Sequence, residues 1–238
     1  SVIDAELLAE ADRHVAWLLE RNPDLRPEQL HHWLMADDPF WVRLIRENRI
    51  LDAVEQIIGP DIALFSSHYI CKRAGDGQAV LWHQDGSYWA LEPMAAVSVW
   101  LAVDHSTPRN GCMRVIPGSH LAPLRPLQER QDVDSVLGSG LDSELVDESK
   151  AVDVDLAPGD LSLHHPNLIH GSNANLSPDR RCGLTIRYIP TTTRVVDESF
   201  FANLFLLRGA AVEGINTYVA PPSWNAERHM AFRGCESE

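Results

Sequence analysis

Three side chains in this 238-residue chain have the types and order to hold a divalent metal: His83 and Asp85, within Trp82-His83-Gln84-Asp85-Gly86, and His170, within His170-Gly171-Ser172. Residues two apart on an extended strand point to the same side, so a His-x-Asp pair offers an imidazole and a carboxylate to one point. A second imidazole from a distant segment completes one face of a coordination sphere. Non-haem Fe(II) oxygenases use two imidazoles and a carboxylate in this way, because the remaining positions stay open for co-substrate and dioxygen. His-x-Asp alone is a weak signal, since a strand histidine beside a turn aspartate is spelled the same way. The later histidine, and an arginine on the strand that follows it, strengthen the reading. His170 is preferred over its neighbours because it closes the apolar pair Leu168-Ile169 just before a Gly-Ser turn. His164 and His165 read as strand and packing residues.

Such a face needs rigid strands around it, and the chain supplies them after a helical start. Asp4 suits the N-cap of a helix whose apolar stripe is Leu7, Leu8, Ala11, Val15, Leu18 and Leu19. Pro27 predicts a second short helix through Leu30, Trp33 and Leu34. Asp38-Pro39 predicts a third, by cap and first-turn proline. Leu51 to Ile58 predicts a fourth, stopped by Gly59-Pro60. The pattern then turns to strands over 62–71, 79–83, 95–103, 112–116, 161–165 and 181–189, with turns at Asn110-Gly111 and Pro158-Gly159-Asp160. Many short strands between Gly, Pro and Asn turns argue for an antiparallel sandwich or barrel. The organisation expected is one domain over 1–238, with a helical part at 1–59 and a β core at 60–190. The charged, loop-like stretch 121–150 reads as an insertion or lid over the site.

Composition narrows the partners. A formal net charge of -14 and a pI near 5.1 set the surface against phosphate backbones and anionic membranes. No apolar run approaches the roughly 18 residues of a membrane span. Neither nucleic acid nor a membrane is therefore expected as a partner. No signal peptide is read at the start, although the first residues lack an obvious beginning. Cys71, Cys112, Cys182 and Cys235 are widely spaced and form no CxxC pair. They read as free thiols in a reducing, cytoplasmic setting. The oligomeric state is not legible.

The segments "WHQDGSYW", "NGCMRVIPGSH" and "PGDLSLHHPNLIHGSNANLSPDRR", with the strand after them, resemble the phytanoyl-CoA dioxygenase (PhyH-like) family over roughly residues 60–190. The resemblance implies a double-stranded β-helix (jelly roll, cupin-like) core with flanking N-terminal helices. It also implies Fe(II), with 2-oxoglutarate as co-substrate alongside dioxygen. Carried over by position, His83, Asp85 and His170 are the iron ligands and the catalytic centre. Arg181 anchors the remote carboxylate of 2-oxoglutarate, Ser172 contacts the same carboxylate, and Trp100 lines the pocket. A guanidinium is the fitting bidentate partner for such a carboxylate. Arg181 is preferred over Arg180 because strand alternation then puts Gly183, Thr185 and Arg187 on the same inward face. Halogenating relatives have a small residue at the Asp85 position, so the carboxylate implies hydroxylation.

The substrate is expected to be a small molecule bordered by Tyr88, Trp89 and Arg187. Aromatics there could bury an apolar body or hold a cationic amine. A buried arginine needs an anionic partner, which could be a protein carboxylate, the co-substrate or an acidic substrate. Together these suit a small polar or zwitterionic compound such as an aminophosphonate. An apolar natural product or lipid, a protein side chain, and a non-catalytic metal-binding jelly roll are the competing readings. His68, Lys72 and Asn110 are further polar candidates near the mouth and read first as structural.

Overall fold

The computed structural model describes residues 1–197 and 204–237. Helix α1 (Ala5–Arg21) begins where expected, with the Asp4 carboxylate accepting from the Leu7 amide. Helix α2 (Pro39–Ile45) is capped by Asp38, which accepts from the Trp41 amide, and α3 (Asn48–Ile58) ends at Gly59. The helix predicted after Pro27 does not form. Single 3-10 turns at Pro27–Gln29 and His32–Leu34 flank a two-residue strand, β1 (Leu30–His31). Leu30 and His31 pair with Tyr69 and His68, so tertiary pairing overrides the local helical pattern.

The remaining main strands are β2 (Ile62–Lys72), β3 (Val80–His83), β4 (Val97–Ala102), β5 (Met113–Val115), β6 (Val152–Val154), β7 (Leu161–His164), β8 (His170–Ser172), β9 (Arg181–Pro190) and β10 (Phe205–Arg208). They build two antiparallel sheets. The larger runs β1-β2-β9-β4-β7, with β10 also on β2, and the smaller runs β3-β8-β5-β6. This is a mainly β, jelly-roll core with helices at its N-terminal side.

Alternation assigns each face of the large sheet. Val97, Val99 and Leu101 on β4 and Cys182, Leu184, Ile186 and Tyr188 on β9 pack into one core with the apolar stripes of the three helices. The alternate residues, Ser98 and Trp100 on β4 and Arg181, Thr185 and Arg187 on β9, line a cavity between the sheets. Polar side chains on that face are unusual for a sheet interior, and they mark it as a site.

One expectation is corrected here. Cys71 and Cys182 sit directly opposite in the β2–β9 register and form a disulfide, while Cys112 and Cys235 are free and buried. A pairing across 111 residues leaves no trace in linear spacing. The argument from free thiols to a reducing compartment falls with it. Among the described residues, no helix is long and apolar enough to cross a membrane.

The stretch 121–150 carries a short hairpin, Gln128–Glu129 with Ser139–Gly140, between loops and 3-10 turns. It joins the core through the Leu141 amide, which donates to the Trp82 carbonyl, and through Tyr88, whose hydroxyl donates to the Ser139 carbonyl. Val136 and Leu137 from this stretch line the cavity.

Candidate active site

The cavity encloses about 620 Å³, within the range of small-molecule sites. His83 is the last residue of β3, and His170 is the first of β8, directly opposite it in the register. Close approach of the two strands depends on Gly171, where a Cβ would stand 2.9 Å from the Val80 carbonyl oxygen. Asp85 does not share the strand as its spacing suggested. It opens a 3-10 turn (Asp85–Tyr88) that follows Gln84. That turn is fixed by the buried Gln84 side chain, which donates to the Asn167 carbonyl and accepts from the Arg125 amide.

His83, Asp85 and His170 are all buried, and each offers a ligand atom within 4.8 Å of the others. The imidazole tautomers follow from their partners. Nδ1 of His83 lies 2.8 Å from the Leu81 carbonyl, and Nδ1 of His170 lies 2.9 Å from the Leu168 carbonyl. A carbonyl only accepts, so each Nδ1 carries the proton and each Nε2 presents a lone pair. Those Nε2 atoms stand 3.4 and 3.9 Å from Asp85 Oδ1. The other carboxylate oxygen, Oδ2, accepts from Ser98 Oγ at 2.8 Å. Second-partner hydrogen bonds of this kind orient metal ligands. Burial acts to raise the Asp85 carboxyl, but the Arg187 charge, with the His164 and His83 rings beside it, holds it well below the carboxylate range. Burial, reinforced by His83, holds His170 well below its ordinary value. Two neutral imidazoles and one carboxylate, converging with lone pairs inward, fit a divalent metal such as iron.

A second constellation lies where Ser172 follows His170 on β8, about 7 Å along the strand. The Arg181 guanidinium donates through Nε and Nη2 to the Gly111 carbonyl, and Nη2 lies 3.4 Å from Ser172 Oγ. Lys72 Nζ donates to Ser172 Oγ at 2.7 Å and to the Asn173 carbonyl. Both basic side chains are buried. Among the described residues, neither has a carboxylate within ion-pair distance. Burial lowers Lys72 to about 6, with help from the Arg181 charge, and lowers Arg181 to about 10. With its oxygen accepting from Lys72, Ser172 keeps its own proton to donate. The set fits the free carboxylate of a dicarboxylate. Arg180, by contrast, points outward to Asp104 at 2.7 Å and to Asp12.

Trp100 completes this end. Its ring lies 5.1 Å from the Arg181 guanidinium and occupies the space over Gly183, where a Cβ would stand 2.2 Å from it. Tyr88, Trp89 and Arg187 also line the cavity, as does His68. Trp89 packs on Phe65 and faces the Arg187 guanidinium at 5.6 Å. Trp82 instead joins the small core of Ile116, Leu141, Val146 and Ile169 outside the cavity. Asn110 is structural, holding the turn before Gly111 by accepting from the Thr107 amide and donating to the His105 carbonyl.

Sequence reasoning assigned no site role to several contributors. His164 lines the cavity rather than a packing interface, with Nε2 3.7 Å from Asp85 Oδ2 and its ring 4.7 Å from that of His170. The doubled histidine, with alternation on β7, was the available signal: His165 is exposed. Lys72 is the second basic group beside Ser172, next to Arg181. His31, His32 and Trp33 form the rim because β1 joins the sheet.

The sequence model of the phytanoyl-CoA dioxygenase (PhyH) family matches residues 2–183. Phytanoyl-CoA dioxygenase 1 of Oryza sativa subsp. japonica is 36% identical over 173 residues, covering 73% of this chain and 61% of that protein. Ectoine dioxygenase of Sphingopyxis alaskensis is 29% identical over 175 residues, covering 67% of this chain and 57% of that protein. The chain thus spans about three fifths of the length of these relatives. Among solved structures, the non-heme monooxygenase ThoJ in its apo form superposes with a TM-score of 0.75 at 26% identity, covering 91% of this chain and 80% of that one. With the family's sequence pattern running through both the helices and the strands that carry the paired sites, this chain belongs to the phytanoyl-CoA dioxygenase (PhyH) family.

Proposed function

We propose that this chain is an Fe(II)- and 2-oxoglutarate-dependent dioxygenase that hydroxylates a small molecule. The observation that carries the reading is one cavity lined both by a buried His83–Asp85–His170 cluster and by buried Arg181 and Ser172, with Lys72 behind Ser172 and, among the described residues, no carboxylate within ion-pair distance of either basic group. Bound iron with 2-oxoglutarate would supply the oxidation: one dioxygen atom goes into succinate as carbon dioxide leaves, and the other turns a substrate C–H into C–OH.

The residues have separate duties. His83 and His170 hold their lone pairs inward through the Leu81 and Leu168 carbonyls, and Ser98 fixes the orientation of Asp85. Arg181, Lys72 and Ser172 bind and orient the remote carboxylate of the co-substrate. Trp100 walls that end and excludes water from the guanidinium. The stretch 121–150 contributes Val136 and Leu137 to the wall and acts as the lid. The carboxylate of Asp85 fills the ligand position that halogenation would leave open, so hydroxylation is the outcome.

The substrate is a small polar or zwitterionic compound, an aminophosphonate being one example. Support comes from the buried Arg187 in the wall and from the relative whose name gives ectoine as its substrate. Purified protein given Fe(II), ascorbate and 2-oxoglutarate should release succinate, faster with a small acid or amine from a panel. Asp85→Ala should lower the release at least about a hundredfold. Absence of succinate from the wild type, or unchanged release from the variant, refutes the reading.

A further inference from the structure

Among the described residues, Arg187 is the second arginine of the cavity wall and is not one of those assigned above to the iron or the co-substrate. It lies on β9 six residues beyond Arg181 and is nine-tenths buried. Its Nε is buried and has no hydrogen-bond partner. The acidic group nearest to it is Asp85, whose Oδ1 is 3.8 Å from Nη2, too long for a direct hydrogen bond. That same Oδ1 faces both histidine Nε2 atoms, so its charge is directed to the metal position. Arg187 therefore lacks a hydrogen-bonded anion, with or without a metal ion there. A buried guanidinium without one is costly.

The surroundings hold the group in place instead of neutralising it. Nη1 donates to His68 Nδ1 at 2.8 Å. His68 is neutral, because burial and the Arg187 charge hold it well below its ordinary value, and its accepting Nδ1 leaves the proton on Nε2. His68 stands beside His31 across the β1–β2 pair, with ring centroids 5.5 Å apart. Trp89 covers one face of the guanidinium, so that indole is not available as a cage for a substrate ammonium. Trp33, Tyr88, Val136 and Leu137 give the wall an apolar and aromatic part, beside the hydroxyls of Ser66 and Thr185.

We infer that Arg187, steadied by His68 and Trp89, is the anchor for an anionic group of the primary substrate, making that substrate an organic acid, a carboxylate or a phosphonate. The acid group is read by Arg187, and the body of the molecule lies against the rim. This rests on the proposed dioxygenase reading for its biological meaning, but the binding itself does not need the metal. It also separates two anion subsites: Arg181 with Lys72 for the co-substrate, and Arg187 for the substrate.

The test is binding of phenylacetate, benzylphosphonate and 2-aminoethylphosphonate, with phenylacetamide and phenethylamine as uncharged and cationic counterparts. Quenching of tryptophan fluorescence reads binding in the metal-free protein, where Trp89 reports on Arg187. The measurement is repeated anaerobically with Fe(II) and 2-oxoglutarate. At least one acid should bind about tenfold tighter than the amide and the amine. Arg187→Gln should remove that preference, and Arg187→Lys should restore part of it, while 2-oxoglutarate binding stays within about twofold of wild type. The two acid arms distinguish carboxylate from phosphonate. No acid binding, amide or amine binding as tight as the acids, or an unchanged preference in Arg187→Gln overturns the assignment. So does loss of 2-oxoglutarate binding in Arg187→Gln, which would make Arg187 part of the co-substrate site. If the wild type binds an acid through Arg187 but neither iron nor 2-oxoglutarate, the dioxygenase reading fails and the anion subsite stands.

Discussion

The indole of Trp100 lies over Gly183, filling the space a side chain would need, and presents its face 5.1 Å from the Arg181 guanidinium. Residue 183 therefore sets the depth of the co-substrate pocket. Gly183→Ala puts a Cβ 2.2 Å from the ring and forces the indole to shift. The 2-oxoglutarate KM should rise about tenfold while iron binding is retained, read by succinate release against co-substrate concentration. An unchanged KM would mean that Trp100 does not shape the pocket.

Lys72 gives the co-substrate a pH dependence. Burial, and then Arg181, lower the ammonium to about 6, so at neutral pH the free site holds a neutral amine. An incoming carboxylate favours the charged form and raises that value, so binding takes up a proton. Affinity should then fall as pH rises above about 6, over the window between the free and bound values. Calorimetry at about pH 7.5 in two buffers of different ionisation enthalpy should detect the uptake, and Lys72→Met should abolish it.

Tyr88 ties the stretch 121–150 to the metal-side turn through its hydrogen bond to the Ser139 carbonyl, at 3.0 Å. Tyr88→Phe removes that tie and keeps the ring. Limited proteolysis within 121–150 should become several-fold faster, at about the same melting temperature. Equal cleavage rates would show that other contacts, such as Leu141 on Trp82, hold the segment alone.

Asp38 links helix and sheet. It caps α2 at Trp41 and accepts from His14 Nε2 at 3.0 Å, while His14 Nδ1 lies 3.1 Å from the Tyr69 hydroxyl. Asp38→Ala removes the cap and strands a buried histidine, and should cost about 3 kcal/mol in denaturant unfolding. A loss near zero would show that the cavity left is filled by water or repacking.

Much of this was legible from single residues. Asp4 and Asp38-Pro39 announced α1 and α2 because caps act locally. Alternation along β9 separates Arg181 and Arg187 from Arg180 in the sequence itself, because strand parity is local too. What escaped depended on pairing across the chain. The strand Leu30–His31 exists only because β2 offers an edge at His68 and Tyr69. Cys71 and Cys182 meet only through the β2–β9 register. Lys72 read as structural because its place beside Arg181 arises only from the β2–β9 register. The inward face of His164 was readable by parity, but the doubled histidine hid which of the two it was.

Iron and co-substrate binding at one site tests the central claim most directly. Anaerobic titration of wild-type protein with Fe(II) should saturate at about one iron per chain, and adding 2-oxoglutarate should then produce a visible charge-transfer band. His170→Ala should lose the band and most of the iron affinity, and Arg181→Gln should keep the iron but require about tenfold more 2-oxoglutarate. A wild type that binds no iron, or a His170→Ala protein with the same band as wild type, would contradict the account.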